Sequence, residues 1–290
     1  MLALWALFLL SAMVISWALD IDSSLTLSGN ANRRLEAEAL ACSGAEVAMN
    51  PQVQPASPNL SRKIDNRQSY EAHMSGEGGR LNLNWLMAGE DPTRLGILKR
   101  YLEARGIDVN ERDRMVDCLL DWVDPDDLER LNGAEAGDDY RPPNRLLRSL
   151  DEIKQVKGWE EFTSSSGWDE EFTLNSSGAI DLAWASRDVL LALPGMTEGL
   201  VDRYLQFRRG PDGIDGTNDD APLRNEEDVR AALGLSSEQF GAIAGFVSFK
   251  DPVFRVVSIG RSGDTARVVR MVIRRPQNVN VPQVISWKEF

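Results

Sequence analysis

The first nineteen residues contain no charged side chain, and this apolar segment constrains the fold more than any other feature of the sequence. At about 1.5 Å per residue, a helix of this length just crosses the hydrocarbon core of a bilayer. A secretory signal would need a basic beginning, a shorter apolar core and a small-residue cleavage site, and none of these is clear here. We therefore expect residues 1–19 to form a single membrane span.

The helical pattern continues beyond the apolar segment. Leu25, Leu35 and Leu40 recur among polar and charged positions, as in an amphipathic helix that enters water. Asn50 and Pro51 should end the helix, because the residue before a proline disfavours the α conformation. The sequence thus predicts one stalk helix over residues 1–50, and an ordinary signal anchor in front of a soluble domain is an equally good interpretation of this segment alone.

The charge of the chain argues against a nucleic-acid partner. Its 45 acidic and 32 basic side chains give a net charge of -13. Affinity for nucleic acid comes largely from cations that displace condensed counterions, so a surface this acidic repels phosphate backbones. The final forty residues differ from the rest, since they carry seven basic and three acidic side chains.

The sequence has few residues that could bind zinc or act as a catalytic base. His73 is the only histidine, and we expect it to be a surface residue of a strand. Cys42 and Cys118 could form one bridge or remain two thiols, and two thiols are favoured. The chain also has no phosphate-binding loop and no nucleophile elbow. We therefore expect a protein that is not an enzyme.

The middle of the chain is expected to be helical. A loop is predicted over 51–66 and a strand over 68–74. Two later segments look like copies of one opening, a turn of small residues followed by alternating apolar and polar residues; they are residues 77–84 (EGGRLNLN) and 178–185 (GAIDLAWA). The second copy leads into a helix, an LPGM turn and another helix, which resembles a helix-hairpin-helix. Ser186 is its expected N-cap, and Gly195 allows the tight turn. Acidic neighbours such as Glu198 make the hairpin structural rather than DNA-binding.

The C-terminal end predicts an antiparallel sheet. Short runs rich in Val, Ile and Phe are separated by turn signals; they cover residues 246–249, 254–259, 266–273 and 281–287. One face of this sheet should pack on the second half of the stalk helix. The predicted organisation is therefore a stalk helix (1–50), a loop and first strands (51–81), an inserted helical domain (82–245) and a completing sheet (246–290).

A set of motifs in a fixed order relates this chain to a known protein family. Residues 121–127 (DWVDPDD) are followed by Gly133, Ala134 and Glu135, by Tyr140 and Asn144, and by the run 149–158 (SLDEIKQVKG). Together with EGGRLNLN and LPG in the same order, this set strongly resembles general secretion pathway protein K, and the resemblance extends over nearly the whole chain. It implies an α+β fold with a pilin-like N-terminal helix, an antiparallel C-terminal sheet and a large inserted all-α domain.

The resemblance also implies a function. Proteins of this family are minor pseudopilins of type II secretion systems, which act at the tip of a periplasmic pseudopilus in complex with other minor pseudopilins and with inner-membrane components. It implies a single-pass inner-membrane protein with its soluble domain in the periplasm. The absence of an acid before Asp20 fits this family, and the missing basic leader suggests that the natural chain begins upstream. The alternative is a membrane-anchored helix-hairpin-helix protein for DNA binding or uptake.

Two acidic loops are candidate calcium sites, because calcium prefers six to eight hard oxygen ligands. The first candidate consists of Asp212, Asp215, Asn218, Asp219 and Asp220. The second consists of Asp121, Asp124, Glu135 and Asp139. Neither has EF-hand spacing, and ordinary solvated turns have the same composition. Because members of the protein K family bind calcium, the resemblance favours calcium as the cofactor without identifying its ligands.

Overall fold

The structure is a computed structural model, which describes residues 2–137, 139–221, 223, 225–275 and 281–290. Met1 of the predicted membrane span, residues 276–280 of the predicted C-terminal sheet, and Asp138, Pro222 and Arg224 of the predicted helical domain lie outside the described residues.

The described residues form nine α-helices, nine strands and several short 3-10 segments. The helices are α1 Leu2–Met49, α2 Leu83–Met87, α3 Pro92–Ala104, α4 Val109–Val123, α5 Glu160–Ser164, α6 Arg187–Leu191, α7 Glu198–Arg208, α8 Glu226–Leu233 and α9 Ser237–Gly241. The strands are β1 Ser61–Lys63, β2 Gln68–Gly76, β3 Leu81–Asn82, β4 Phe172–Thr173, β5 Ile180–Asp181, β6 Val247–Ser248, β7 Val253–Ser262, β8 Thr265–Arg274 and β9 Gln283–Glu289. The 3-10 segments are Pro58–Leu60, Glu77–Gly79, Ala88–Glu90, Leu150–Gln155 and Ala244–Phe246.

Helix α1 ends at Met49, directly before Asn50 and Pro51, as the sequence predicts. Residues 3–36 are exposed apart from the half-buried Gly29. Within the described part of the chain, α1 is the one helix long and apolar enough to cross a membrane. This finding agrees with a single membrane anchor at the N-terminus.

The second half of α1 packs on the sheet through small side chains. Ala37, Ala41, Ala45 and Ala48 are fully buried against strands β2, β7 and β8. The contact is closest at Gly260 of β7, where an added Cβ atom would lie 2.0 Å from the carbonyl oxygen of Ala37. Only glycine therefore allows the strand to approach the helix backbone this closely.

The main sheet has five antiparallel strands in the order β1-β2-β7-β8-β9. It confirms the predicted strand at 68–74 and the antiparallel sheet predicted from the runs 254–259, 266–273 and 281–287. His73 is exposed on β2, as expected. The loop prediction for 51–66 was wrong at Ser61–Lys63, which pairs with β2. All three residues of β1 are exposed, so no apolar alternation marks the strand in the sequence.

The chain leaves this sheet after Gly76 and returns to it at Val253. Gly76 and Phe254 are directly paired on the neighbouring strands β2 and β7, so the two ends of the excursion are adjacent. We call residues 77–252 the inserted region. It has its own hydrophobic core, separate from the core between α1 and the sheet.

The core of the inserted region is organised around an aromatic cluster. Trp159 is fully buried, and its ring lies edge-on to Phe162 and Phe172 at centroid distances of 5.5 and 6.1 Å. Its Nε1 donates a 2.8 Å hydrogen bond to the carbonyl oxygen of Met115 on α4. The polar end of the buried indole is therefore satisfied, as a well-packed core requires.

The two similar openings seen in the sequence have similar local structures. Each begins with a two-residue strand, β3 or β5, in a two-stranded parallel ladder, and a short helix follows. The hairpin of α6 and α7 is present, with Ser186 as the N-cap of α6 and Gly195 at φ 74°. The secondary structure of the inserted region is thus mainly helical, with two small parallel ladders.

Residues 246–249 do not form the first strand of the C-terminal sheet, so this prediction was wrong. Val247–Ser248 pairs in parallel with Ile180–Asp181 of the inserted region. The reason lies three residues after Ser248, at Asp251, whose backbone N–H donates to the Asp181 carboxylate at 2.9 Å. The Asp251 carboxylate also accepts a 2.8 Å hydrogen bond from the backbone N–H of Ser177. These contacts hold the segment on the inserted region until Pro252 redirects the chain.

The inserted region docks on the sheet face opposite α1 through ion pairs. Glu77 and Arg255 form a buried pair, and Asp169 lies 2.7 Å from Arg270. A third pair joins Asp151 to Lys288 of β9 at 3.1 Å. The basic C-terminal strands noted in the sequence therefore face acids of the inserted region.

Candidate functional site

The first acidic cluster lies where α4 ends and consists of Asp121, Asp124 and Glu135. Each of them contributes a carboxylate oxygen within 4.8 Å of the others. Asp121 is fully buried because it occupies the inner face of α4, and Asp124 is the residue that ends this helix. The sequence-predicted residue Asp139 is exposed and lies outside this group.

A basic residue that the sequence analysis missed holds two members of this cluster. Arg130 donates from Nη1 to the carboxylates of Asp121 and Asp124, and from Nη2 to Glu90 at 2.8 Å. The Oδ2 atom of Asp121 also accepts a 2.8 Å hydrogen bond from the backbone N–H of Ala134. These contacts fix the turn over 124–134 against α4. The feature of the sequence that could have indicated this contact is Arg130 itself, six residues after Asp124, the aspartate that ends α4.

Glu135 has no such partner. Both of its carboxylate oxygens are buried without a hydrogen bond, and so is the Oδ1 atom of Asp124. Burial, followed by the negative charges of Asp121 and Asp124, raises the pKa of Glu135 above its ordinary value. Three buried carboxylate oxygens of this cluster thus lack a hydrogen-bond donor, although Arg130 pairs with Asp121 and with the other oxygen of Asp124.

The second acidic cluster lies in the loop after α7 and consists of Asp212, Asp219 and Asp220. Asp219 accepts hydrogen bonds from the hydroxyl of Thr217 at 2.6 Å and from the backbone N–H of Asp212 at 3.1 Å. Asp220 accepts a 2.6 Å hydrogen bond from the backbone N–H of Gly216. The loop therefore already satisfies several of its carboxylate oxygens, as an ordinary aspartate-rich turn does.

Hydrogen bonds and burial act on the pKa values of this loop in opposite directions. The hydroxyl of Thr217 and the backbone N–H of Asp212 lower the pKa of Asp219. The pKa of Asp220 is raised, mainly because burial penalises its charged form.

The two other residues predicted for this loop lie outside the cluster. Asp215 accepts hydrogen bonds from Arg208 at 2.8 Å and from Arg209 at 3.1 Å, so its charge is already neutralised. Asn218 is exposed. Arg208 is itself buried and donates to the carbonyl oxygens of Leu182 and Ala185, which joins the loop to the hairpin. No pattern in the sequence indicated the role of Arg208.

The hairpin turn between α6 and α7 has acidic surroundings. Arg187, at the start of α6, is paired with Asp202 at 2.8 Å and with Glu198 at 3.4 Å. Arg187 therefore forms its ion pairs within the hairpin. This arrangement is unlike a phosphate-binding hairpin, in which basic residues surround the turn.

Both cysteines are free, as the sequence analysis favoured. Cys118 is buried on α4, and burial raises its pKa to about 11. Cys42 is half-buried on the side of α1. Burial raises its pKa, and the neighbouring charges of Glu289, Glu38 and Glu46 raise it further.

Comparisons with known proteins agree with the resemblance found in the sequence. Residues 79–164, which lie in the inserted region, match the family model described as type II secretion system (T2SS), protein K. A comparison with curated protein sequences found no match. A chain in the crystal structure of the GspK-GspI-GspJ complex from the enterotoxigenic Escherichia coli type 2 secretion system has a similar structure, with a TM-score of 0.62 and 13% identity. The similarity covers 93% of this chain and 99% of that chain, and it shows the same fold.

Proposed function

From the protein K domain that residues 79–164 match, we propose that this chain is a minor pseudopilin of a type II secretion system, a tip subunit that supports pseudopilus assembly and protein export. One observation carries the proposal: the matched segment lies between two strands that are directly paired at Gly76 and Phe254. The chain thus combines a pilin-like unit, made from its two ends, with a protein K domain inserted at one end of the sheet.

The position of the inserted region supports a role at the tip. Arg275 follows β8 and donates to the carbonyl oxygens of Ala48 and Val53, so this end of the sheet lies at the C-terminal end of α1. Gly76 and Phe254 belong to the same end, because Phe254 pairs with Ile273. The inserted region is therefore connected to the pilin-like unit at the end of the sheet that lies farthest from the apolar part of α1. A bulky domain there would block the addition of a further subunit.

The proposed setting follows from the same arrangement. Residues 2–19 of α1 anchor the chain in the inner membrane as a single pass, and the soluble part lies in the periplasm. Its partners are other minor pseudopilins of the tip complex, as in the GspK-GspI-GspJ complex, together with inner-membrane components of the secretion system. The proposed role is structural and depends on the assembly of subunits rather than on catalysis.

Calcium binding at the first acidic cluster is part of the proposal. Glu135 and Asp124 would supply the three buried oxygens that have no donor, beside Asp121, whose oxygens already accept hydrogen bonds from Arg130 and Ala134. A bound calcium ion would neutralise these carboxylates and stabilise the turn that carries them. The second cluster is the weaker candidate, because its oxygens already accept hydrogen bonds from the loop.

A deletion that follows the sheet register tests the tip role. Residues 77–252 are replaced by a short Asn-Gly turn joining Gly76 to Val253, since the flanking strands are paired there. The matched control inserts the same turn sequence into the exposed loop after Gly263 and leaves the inserted region intact. We expect the deletion to abolish export and to change the length of pseudopili seen by electron microscopy. Unchanged export and unchanged pseudopilus length would contradict the proposal.

A further inference from the structure

One end of the main sheet lies toward the apolar part of α1. Strand β2 begins there at Gln68, whose side chain donates to the carboxylate of Glu36 on α1 at 3.3 Å. Strand β7 ends there at Ser262, whose hydroxyl donates to the same carboxylate at 2.6 Å. The inserted region is connected at the opposite end of the sheet. The end marked by Glu36 is therefore the part of the pilin-like unit nearest to a membrane that α1 crosses.

Basic side chains predominate at this end, although the chain as a whole is acidic. The segments 30–36, 61–67 and 261–267 meet there, since Gly263 lies beside the side chain of Arg33 and its backbone N–H donates to the carbonyl oxygen of Arg67 at 2.9 Å. Together they carry seven basic and three acidic side chains, in a chain whose net charge is -13. We call the seven basic side chains the basic end; they are Arg33, Arg34, Arg62, Lys63, Arg67, Arg261 and Arg267.

The positive charge of the turn between β1 and β2 is free. Its one acid, Asp65, accepts hydrogen bonds from two backbone N–H groups of the same turn at 2.6 and 2.7 Å, so this carboxylate holds the turn in shape. Arg62, Lys63 and Arg67 are exposed, and in the described part of the chain they form no ion pair. Asp264, the acid of the neighbouring hairpin turn, is also exposed. The turn therefore presents a surplus of unpaired cations to its surroundings.

A groove between α1 and this turn gathers most of the basic end. The groove has a volume of about 960 Å³. Among its lining residues, Arg261 is paired with Glu71 at 3.5 Å, whereas the other basic residues form no ion pair with a described residue. Guanidinium and ammonium groups are the usual protein ligands of phosphate oxygens. The basic residues that line the groove are Arg33, Arg62, Lys63, Arg67 and Arg261.

An apolar side chain projects from the same turn. Ile64 follows Lys63 directly and is 54% exposed. An exposed apolar residue between basic residues is typical of segments that lie at a bilayer surface, because the apolar group enters the headgroup boundary while the cations attract anionic lipids. A site for a free phosphate ion would have no use for this side chain. The turn therefore has both components of a membrane-binding surface.

Building on the membrane anchor of the proposed function, we propose that the basic end binds anionic phospholipid headgroups of the bilayer that α1 crosses. Phosphate groups would occupy the groove beside Arg62 and Arg67, and Ile64 would enter the headgroup layer. The contact belongs to the anchored subunit before it joins a pseudopilus, and growth of the fibre would lift the basic end off the membrane.

The length of α1 is compatible with this contact. Asp20, the first charged residue of α1, precedes Arg33 by thirteen residues, roughly 20 Å along the helix. The headgroup layer takes up about 6 Å of this distance, and membrane helices tilt by up to about 40°. A tilt toward the sheet lowers the turn that carries Ile64, and attraction between charges extends over about 8 Å at physiological salt.

A fluorophore on the turn reports its distance from the headgroups. The full-length double variant Cys42→Ser/Asn66→Cys is labelled at the exposed position 66, since Cys118 is buried. The purified chain is reconstituted into vesicles that contain a headgroup-linked spin-label quencher. We expect quenching to be about twofold or more stronger when one third of the phosphatidylcholine is replaced by phosphatidylglycerol. The control Cys42→Ser/Ser166→Cys, labelled in the inserted region, should show equal quenching in both vesicles.

Charge reversal tests the basic end itself. In the labelled chain, Arg62→Glu/Lys63→Glu/Arg67→Glu should abolish the difference between the two kinds of vesicle, and high salt should weaken it in the unsubstituted chain. The matched control reverses three exposed arginines of the inserted region and should keep the difference; it is Arg141→Glu/Arg148→Glu/Arg203→Glu.

The outcomes separate this inference from the proposed function. Equal quenching in the two kinds of vesicle, or a difference that survives reversal of the turn, would overturn the lipid contact and leave the pseudopilin role intact. Loss of the difference on addition of inorganic phosphate, but not of chloride at the same ionic strength, would also overturn it and assign the groove to a free phosphate ion. If the labelled chain does not stay in the vesicles at all, the membrane anchor of the proposed function fails.

Discussion

The carboxylate of Glu77 and the guanidinium of Arg255 form two parallel hydrogen bonds, each 2.8 Å long, between residues that are 178 positions apart. Both side chains are buried, and the hydroxyl of Thr173 donates a third hydrogen bond to Glu77 at 2.5 Å. Glu77 begins the inserted region and Arg255 lies in β7, so the pair joins the two units where the chain passes between them.

Loss of Glu77 should uncouple the inserted region from the sheet. Glu77→Ala leaves the Arg255 guanidinium buried without its counter-charge, and we expect a loss of about 3–5 kcal/mol in the free energy of unfolding. Urea unfolding followed by tryptophan fluorescence measures this loss. The control Glu160→Ala, at an exposed position of α5, should change stability by less than about 0.5 kcal/mol. A loss below 1 kcal/mol for Glu77→Ala would show that the pair contributes little.

Gly260→Ala should separate α1 from the sheet. The new Cβ atom would lie 2.0 Å from the Ala37 carbonyl oxygen and 2.3 Å from the Ala41 nitrogen, both backbone atoms that cannot turn aside. We expect a destabilisation of about 1–3 kcal/mol or more, measured by thermal unfolding in detergent. The control is Gly199→Ala in α7, where the added Cβ has open space and should slightly stabilise the helix. Equal stability of the two variants would contradict the close packing described here.

Calcium should stabilise the protein through the first acidic cluster. At about 100 times its Kd, calcium would add about 2.7 kcal/mol to the free energy of unfolding. The measurement is the Tm with calcium, with magnesium and with a chelator. Glu135→Gln should remove most of the calcium-dependent rise, whereas Asp219→Asn in the second cluster should retain it. A rise of the same size in Glu135→Gln would assign the ion to a different site.

Without calcium, Glu135 should make stability depend on pH. Its pKa in the folded state is raised above the ordinary value of 4.5, so the folded state binds the proton more tightly than the unfolded state. Stability is therefore greatest below the unfolded pKa, falls as pH rises through the folded pKa, and stays lower above it.

In a chelator, Glu135→Gln should accordingly be more stable than the wild-type chain at pH 7 and should lack this fall. The measurement is the midpoint of urea unfolding from pH 4 to pH 8. A steeper pH dependence in Glu135→Gln would contradict the raised pKa.

Local sequence patterns predicted the elements that depend on neighbouring residues. The end of α1 before Pro51, the cap of α6 at Ser186, the turn at Gly195 and the C-terminal hairpins each have a signal within a few positions. The sequence also predicted two groups of acids. Which of those acids meet was not predictable, because Asp215 turns to Arg208 and Arg209, and Asp139 stays outside the first cluster.

Periodicity and charge are local properties, so sequence patterns alone predicted an apolar helix that continues into an amphipathic one, an acidic helical middle and basic terminal strands. Three features became visible only in the folded chain: β2 pairs with β7, Val247–Ser248 pairs with the inserted region, and Trp287 extends an apolar face beyond α1. These features depend on contacts between residues far apart in the chain. Their free energy comes from burial and ion pairing that exist only once both segments have folded together.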